Sequence, residues 1–310
     1  MIWLKVTKSD DGMVLRASDT VTVTRMNHLT EVQYMARVNT KNHIRKLDKD
    51  RYVVLEDGEI KDFTHTENRK QGFNSLRQTF KKLRYLINNN FVGGSNEWHV
   101  TLTYKENMTD TVRLYDDFKN FMKRFKYRYK AVSTLDYISV VEPQGRGAWH
   151  CHVLIRFNDA DTILLTDDDI RDLWSYGTQV SAKTLNEVDN IGAYLSAYLS
   201  DVELSDDSML TYLNNRYTCE VPVKITSEGK KYIKGGRLHM YPPGMNLYRR
   251  SKGIRSPDRE KMKYGQIKSV VGSAHPHYTA TYYIEDLDHD FSNVICYEQY
   301  NTKRSNTVNE

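Results

Sequence analysis

Cysteine is scarce in this 310-residue chain. Cys151, Cys219 and Cys296 are widely spaced, form no C-x-x-C pair and are odd in number. That pattern excludes a zinc ribbon and suits a reducing compartment. Long apolar runs are missing as well: no stretch approaches the 18 or so residues that a membrane helix needs. The opening Met1-Ile-Trp-Leu-Lys-Val lacks a basic start, a long apolar stretch and a small-residue cleavage site. The expectation is a soluble, cytoplasmic protein with no membrane partner. No G-x-x-x-x-G-K-[ST] occurs, which excludes a P-loop helicase or ATPase. Charge of one sign is also modest: the formal net charge is +5, which permits a polyanionic partner without demanding one.

What is present is more telling in its distribution than in its totals. With 39% hydrophobic residues the chain can bury a sizeable core. From Lys61 to Lys130 there are 15 basic and 7 acidic residues, and from Lys224 to Lys268 there are 13 and 3. Between them, Asp159 to Glu220 reverses to 3 basic and 13 acidic. Short β-like runs such as Thr20-Val-Thr-Val-Thr, separated by Asp-Asp-Gly and Glu-Asp-Gly turns, predict a β-rich part over residues 1–62. Apolar residues at three- and four-residue spacing predict basic amphipathic helices over Asn68 to Asn89 and Thr111 to Tyr129. Strands are predicted at Glu97 to Tyr104, Leu135 to Val141 and Trp149 to Phe157, the last two as a hairpin around Pro143-Gln-Gly-Arg-Gly-Ala148. A short helix capped by Thr166 and a longer one over Leu185 to Val202 follow. The order of elements predicts an α+β fold, a sheet with helices packed against it.

The segment Trp149-His-Cys-His-Val-Leu-Ile155 carries the strongest chemical signal. Alternate residues of a strand share a face, so His150 and His152 project together, with Cys151, Val153 and Ile155 on the other side. A hairpin turning near Arg146 sets Glu142 across from His150. One carboxylate and two imidazoles make an open site for Mg²⁺ or Mn²⁺ rather than a closed zinc site. Further on, Asn190-Ile-Gly-Ala-Tyr194-Leu-Ser-Ala-Tyr198 places two tyrosines at i and i+4, on one helix face. A phenol is a poor nucleophile unless its phosphate target is polarised, which a divalent ion does.

Together these motifs resemble those of the HUH endonucleases, in particular the rolling-circle replication initiators of small plasmids and phages. Thr101-Leu-Thr-Tyr104 is similar to their first motif. His150-Cys-His152 with Glu142 is similar to the second, and Tyr194-Leu-Ser-Ala-Tyr198 to the third in its two-tyrosine form. The resemblance covers about residues 97–201 within a nicking-joining domain expected over 63–220, followed by a basic, DNA-contacting part over 221–310. It implies a central antiparallel sheet of RRM-like or ferredoxin-like form, with the metal site on its middle strands and the tyrosine helix across it. It also implies nicking of single-stranded or extruded origin DNA, a 5′-phosphotyrosine link, a 3′-OH primer and later rejoining. A host helicase and DNA polymerase are the implied partners. One departure from the family pattern is Ala197, where many relatives carry lysine after the first tyrosine; Lys183 and the basic helices are the other cations available.

Other readings stay open at this level. A conjugative relaxase or a transposase has the same kind of site. An RRM-like binding module would use His150, His152 and Tyr104 only to contact bases, and a small metal hydrolase would keep the tyrosines in its core. Tyr232, Tyr241 and Tyr248, set among lysines and arginines, suit stacking on a single strand.

Overall fold

The computed structural model describes residues 4–9, 12–38, 43–63, 73–144, 147–177, 179–186, 188–200, 202–203, 223–225, 231–233, 237, 240–242, 245–286 and 291–304. At 4–5, 73–77, 197–198, 200, 202–203, 223–225, 231–233 and 286 the description is of the backbone only. The fold is α+β, with antiparallel sheets and, among the described residues, five α-helices. The chain divides into two units, residues 67–256 and residues 1–66 joined with 257–310. No helix among the described residues is long and apolar enough to cross a membrane.

The first unit pairs strands from both ends of the chain. β1 (Leu4–Ser9), β2 (Thr20–Met26) and β3 (Leu29–Met35) form a six-stranded antiparallel sheet with β15 (Asp258–Lys263), β16 (Pro276–Asp286) and β17 (Phe291–Asn301). Its order is β1-β16-β17-β3-β2-β15. Val21, Val23, Val32 and Cys296 alternate onto one face and are buried with Ile267, Val271 and Ala274, from and beside the short helix at Lys268–Val271. In the same unit, β4 (Ile44–Lys46), β5 (Arg51–Val54) and β6 (Ile60–Asp62) make a small sheet of their own.

The second unit runs α1 (Phe73–Asn90), β7 (Glu97–Thr103), α2 (Thr111–Tyr129), β8 (Leu135–Pro143) and β9 (Trp149–Phe157). It continues with α3 (Asp167–Leu173), β10 (Val180–Thr184), α4 (Ile191–Ser200), short strands β11 (Val202–Glu203), β12 (Val223–Ile225) and β13 (Lys231–Ile233), and β14 (Tyr248–Arg250). Five strands pair antiparallel in the order β10-β7-β9-β8-β14, with β9 at the centre. Helices cover both faces, so the middle strands β7, β8 and β9 are buried along nearly their whole length, polar residues included. On one face Val100, Leu102, Cys151, Val153 and Ile155 meet Leu114, Phe118, Phe121 and Phe125 of α2 and Ile170 of α3. On the other, Ile138, Val140 and Leu154 meet Leu83, Leu86 and Ile87 of α1 and Ile191, Leu195 and Leu199 of α4. Each such side chain contributes roughly 1.5–3 kcal/mol through burial.

Local sequence explains where the helices begin. Asp110 caps α2 by accepting from the amides of Val112 and Arg113. Thr166 and Asp169 form a capping box on α3. The helix expected from Leu185 starts six residues later, because the Asn190 side chain accepts from the amide of Ala193 and opens α4 there. Residues 180–184, not anticipated as a strand, become β10 by pairing with β7. The N-terminal end of the helix expected from Asn68, and the turn at Arg146, lie outside the described residues.

Candidate functional site

The hairpin register sets Glu142 directly opposite His150, and Val140 opposite His152. On the other side of β9, His152 pairs with Thr101 and His150 with Thr103 of β7. Four side chains of interest therefore lie on the sheet face that α1 and α4 cover: Glu142, His150, His152 and, two residues before Thr101, His99. His152 is buried and donates from Nε2 to Glu142 Oε2 at 2.5 Å, since an ionised carboxylate only accepts. In the neutral imidazole its Nδ1 then accepts from His99 Nε2, 3.0 Å away, with the Thr101 hydroxyl at 3.3 Å. Burial opposes the charge on Glu142, but the hydrogen bond from His152 and the nearby Arg237 guanidinium outweigh it and lower its pKa. Burial first, then neighbouring His152 and the Lys183 ammonium, push His99 down to about 3, so its ring is neutral at physiological pH.

The helix bearing the tyrosines is anchored over this face by small and polar groups. The Gly192 amide donates to Asn88 Oδ1, and Asn88 Nδ2 donates to Asn190 Oδ1, which ties the start of α4 to α1. Two residues on, the half-buried Tyr194 ring meets the His99 ring edge-on, with centroids 5.9 Å apart. A path of contacts thus runs from Tyr194 through His99 and His152 to Glu142. The side chain of Tyr198 lies outside the described residues.

Two cations border the path. Lys183 on β10 stands opposite His99 in register, on the same face. Arg237 pairs with Glu142 Oε1 at 3.1 Å and donates to the Pro143 carbonyl at 2.8 Å. Sequence reasoning missed His99 and Arg237. The alternation Glu97-Trp-His99-Val-Thr101 already placed His99 on the face of Thr101, but no local pattern links Arg237 to Glu142.

Some tyrosines sit elsewhere than expected. Tyr241 is a core residue, 1% exposed, with its hydroxyl 3.0 Å from the carbonyls of both Val141 and Leu199, so it offers no stacking surface. Tyr248 packs half-buried against the α1 and α4 core, and the side chain of Tyr232 lies outside the described residues. Tyr104 faces away from the histidines: it is buried, donates to Asp117 at 3.0 Å and abuts Trp174.

Among the described residues, no group of three or more His, Cys, Asp or Glu side chains is arranged to hold a metal ion as the side chains stand. The donor chemistry nevertheless fits one. Two imidazoles and an ionised carboxylate from adjacent strands are the ligand types of an open divalent site. The proton shared between His152 and Glu142 occupies the atoms that an ion would take in exchange for it.

Fold and site define a class: an antiparallel α+β domain with a buried carboxylate–imidazole centre on its middle strands and a tyrosine helix packed over that face. Within it, residues 97–203, from β7 to β11, match the model of a family of replication-associated proteins, the ORF2 and phage gene II type. The segment that carries the site is accordingly similar to replication-associated proteins. No curated protein matches the chain.

Proposed function

We propose that the protein initiates rolling-circle replication of a plasmid or phage genome by nicking one strand of origin DNA and later rejoining it. The observation that carries this reading is the contact path Tyr194–His99–His152–Glu142, set inside the segment similar to replication-associated proteins. It joins a phenol to a carboxylate–imidazole centre across one sheet face.

In this reading Tyr194 Oη bonds to the scissile phosphorus as the P–O3′ bond breaks. The phenol proton is lost, the departing O3′ gains one, and a 5′-phosphotyrosine and a free 3′-OH result. The reverse attack by a 3′-OH restores the phosphodiester, so no nucleotide cofactor is consumed. Glu142, His150 and His152 would hold Mg²⁺ or Mn²⁺, which supplies Lewis-acid polarisation of the phosphate when bound. His99 and Thr101 fix which nitrogen of His152 faces Glu142. Lys183, at the open edge of the same face, supplies the positive charge absent at Ala197. The conjugative relaxase and transposase readings share this chemistry. A non-catalytic RRM-like module fits less well, because Tyr104 is buried against Asp117 and cannot reach a base.

The test is covalent capture of a labelled single-stranded oligonucleotide in Mn²⁺ by the parent chain, Tyr194→Phe, Tyr198→Phe and the double variant, read on a denaturing gel. Loss of the shifted band in Tyr194→Phe, with an unchanged melting temperature, is expected. Capture that persists in both single variants and in the double variant would refute the assignment.

A further inference from the structure

We propose that the six-stranded sheet of the first unit binds single-stranded DNA on the face opposite its apolar core, at a surface separate from the tyrosine site. The sheet register makes that face explicit. Val21, Val23, Val32 and Cys296 turn inward, so their neighbours along each strand turn to the other face, which is buried at the β2–β3 turn by Met26 and Leu29 and opens away from it. Lys261, Thr22, Gln33 and Tyr297 then form one row across β15, β2, β3 and β17. Arg259, Thr24, Glu31, Gln299 and Tyr278 form the next, continuing onto β16, with Thr24 and Glu31 buried in its middle and Arg259 and Tyr278 exposed at its ends. Tyr282 pairs with Lys8 at the β1 edge.

Two features of this face match a single strand. Its charge is one-sided and lies at the margins: Lys8 stands on one edge strand, and Arg259, Lys261 and Lys263 on the other, all exposed. Among the described side chains the carboxylate on this face is Glu31, which is buried and accepts from Gln299. Between the basic edges lie Tyr278, Tyr282 and Tyr297. Tyr282 and Tyr297 meet edge-on at 5.9 Å, and the Lys8 ammonium stands 5.9 Å over the Tyr278 ring. Gln33 donates to the Tyr297 hydroxyl and Arg259 donates to Gln33, which steadies the centre of the face.

Six strands spaced about 4.8 Å apart span roughly 24 Å. That is room for a strand of several nucleotides, with phosphates on the basic edges and bases on the tyrosines between them. A duplex keeps its bases stacked inside and cannot use those rings. Single-stranded DNA is therefore favoured over duplex, and the tyrosines, which accept any base, imply little sequence preference.

The experiment is fluorescence anisotropy of the full chain with labelled oligo-dT of 30 nucleotides over a salt series. The triple variant Lys8→Gln, Arg259→Gln, Lys261→Gln, all at exposed positions, is expected to weaken binding at least tenfold. It is also expected to flatten the slope of log K against log salt by about 2, at about 0.7 for each phosphate no longer neutralised. Tyr278→Ala is expected to weaken binding about fivefold or more with the slope unchanged. Parent-like affinity and slope in the triple variant would overturn the proposal, as would tighter binding of duplex DNA or of RNA of equal length. Covalent capture at saturating oligonucleotide, measured on the same variants, is expected to equal the parent's. Failure of the parent to form an adduct would count against the nicking reading and leave this surface standing.

Discussion

At the scale of single residues, His99 shows how a side chain outside the expected ligand set can govern the site. Its Nε2 lies 3.0 Å from His152 Nδ1, and its burial keeps it neutral, so it orients His152 without adding charge. His99→Phe keeps an aromatic ring at the position and removes the hydrogen bond. Titration calorimetry with Mn²⁺ is expected to show an affinity about 10–100-fold lower; an unchanged affinity would remove His99 from any positioning role. Asp136 works differently. It accepts from Ser251 at 2.7 Å and from Arg156 and Asn158 at 3.2 Å. Burial opposes its charge, but these bonds outweigh burial and lower its pKa below 3.8. The unfolded chain therefore takes up the proton first as pH falls, so the stability that Asp136 adds is complete above about pH 5 and drains away at lower pH. Asp136→Asn is expected to cost about 1–3 kcal/mol at neutral pH. It is also expected to flatten the fall in melting temperature between about pH 5 and 3. An acid limb as steep as the parent's would place that stability in other groups.

At the scale of elements, the position of Tyr194 depends on how closely α4 approaches α1. Gly192 makes that approach possible: a Cβ there would lie 2.7 Å from Asn88 Oδ1 and 2.8 Å from the Arg84 carbonyl oxygen. Gly192→Ala has to push the helices apart or break the Asn88–Gly192 bond, at a cost of about 1–3 kcal/mol. The expected result is a lower melting temperature together with slower covalent capture, because Tyr194 moves with the helix. A variant as stable and as fast as the parent would show that α4 tolerates displacement. The i to i+4 spacing of the tyrosines was legible in advance, since it is a property of any helix. The start of the helix was not: apolar Leu185 and Val188 continue the pattern, yet they pack on the core from a turn, and the cap at Asn190 competes successfully with the periodicity.

At the scale of the whole molecule, the first unit takes its strands from residues 1–66 and 257–310 together. β17 lies between β16 and β3, and β15 closes the far edge against β2. Ending the chain after Ser256 strips β2 and β3 of both neighbours, and a lone two-stranded ribbon is marginal in water. Limited proteolysis of such a truncation, followed by mass spectrometry, is expected to show rapid cleavage within 1–66. The unit over 67–256 is expected to keep its own cooperative melt. Continued resistance of 1–66 would mean that it folds without the C-terminal strands.

The sequence alone determined what depends on short separations. The buried stripe of α2, the strand at Trp149–Phe157, and Glu142 opposite His150 all follow from helical or strand periodicity and one tight hairpin. Only the tertiary structure decided what depends on distant segments meeting. His99 reaches His152 across 53 residues, Arg237 lies 94 residues from Pro143 beside Glu142, and Lys183 faces His99 through a strand with little pattern of its own. The physical reason is that periodicity dictates which way a side chain points, whereas its neighbour is chosen by the burial and pairing of the whole sheet. The histidine face was therefore readable from the sequence, and the contacts that link it to Tyr194 were not.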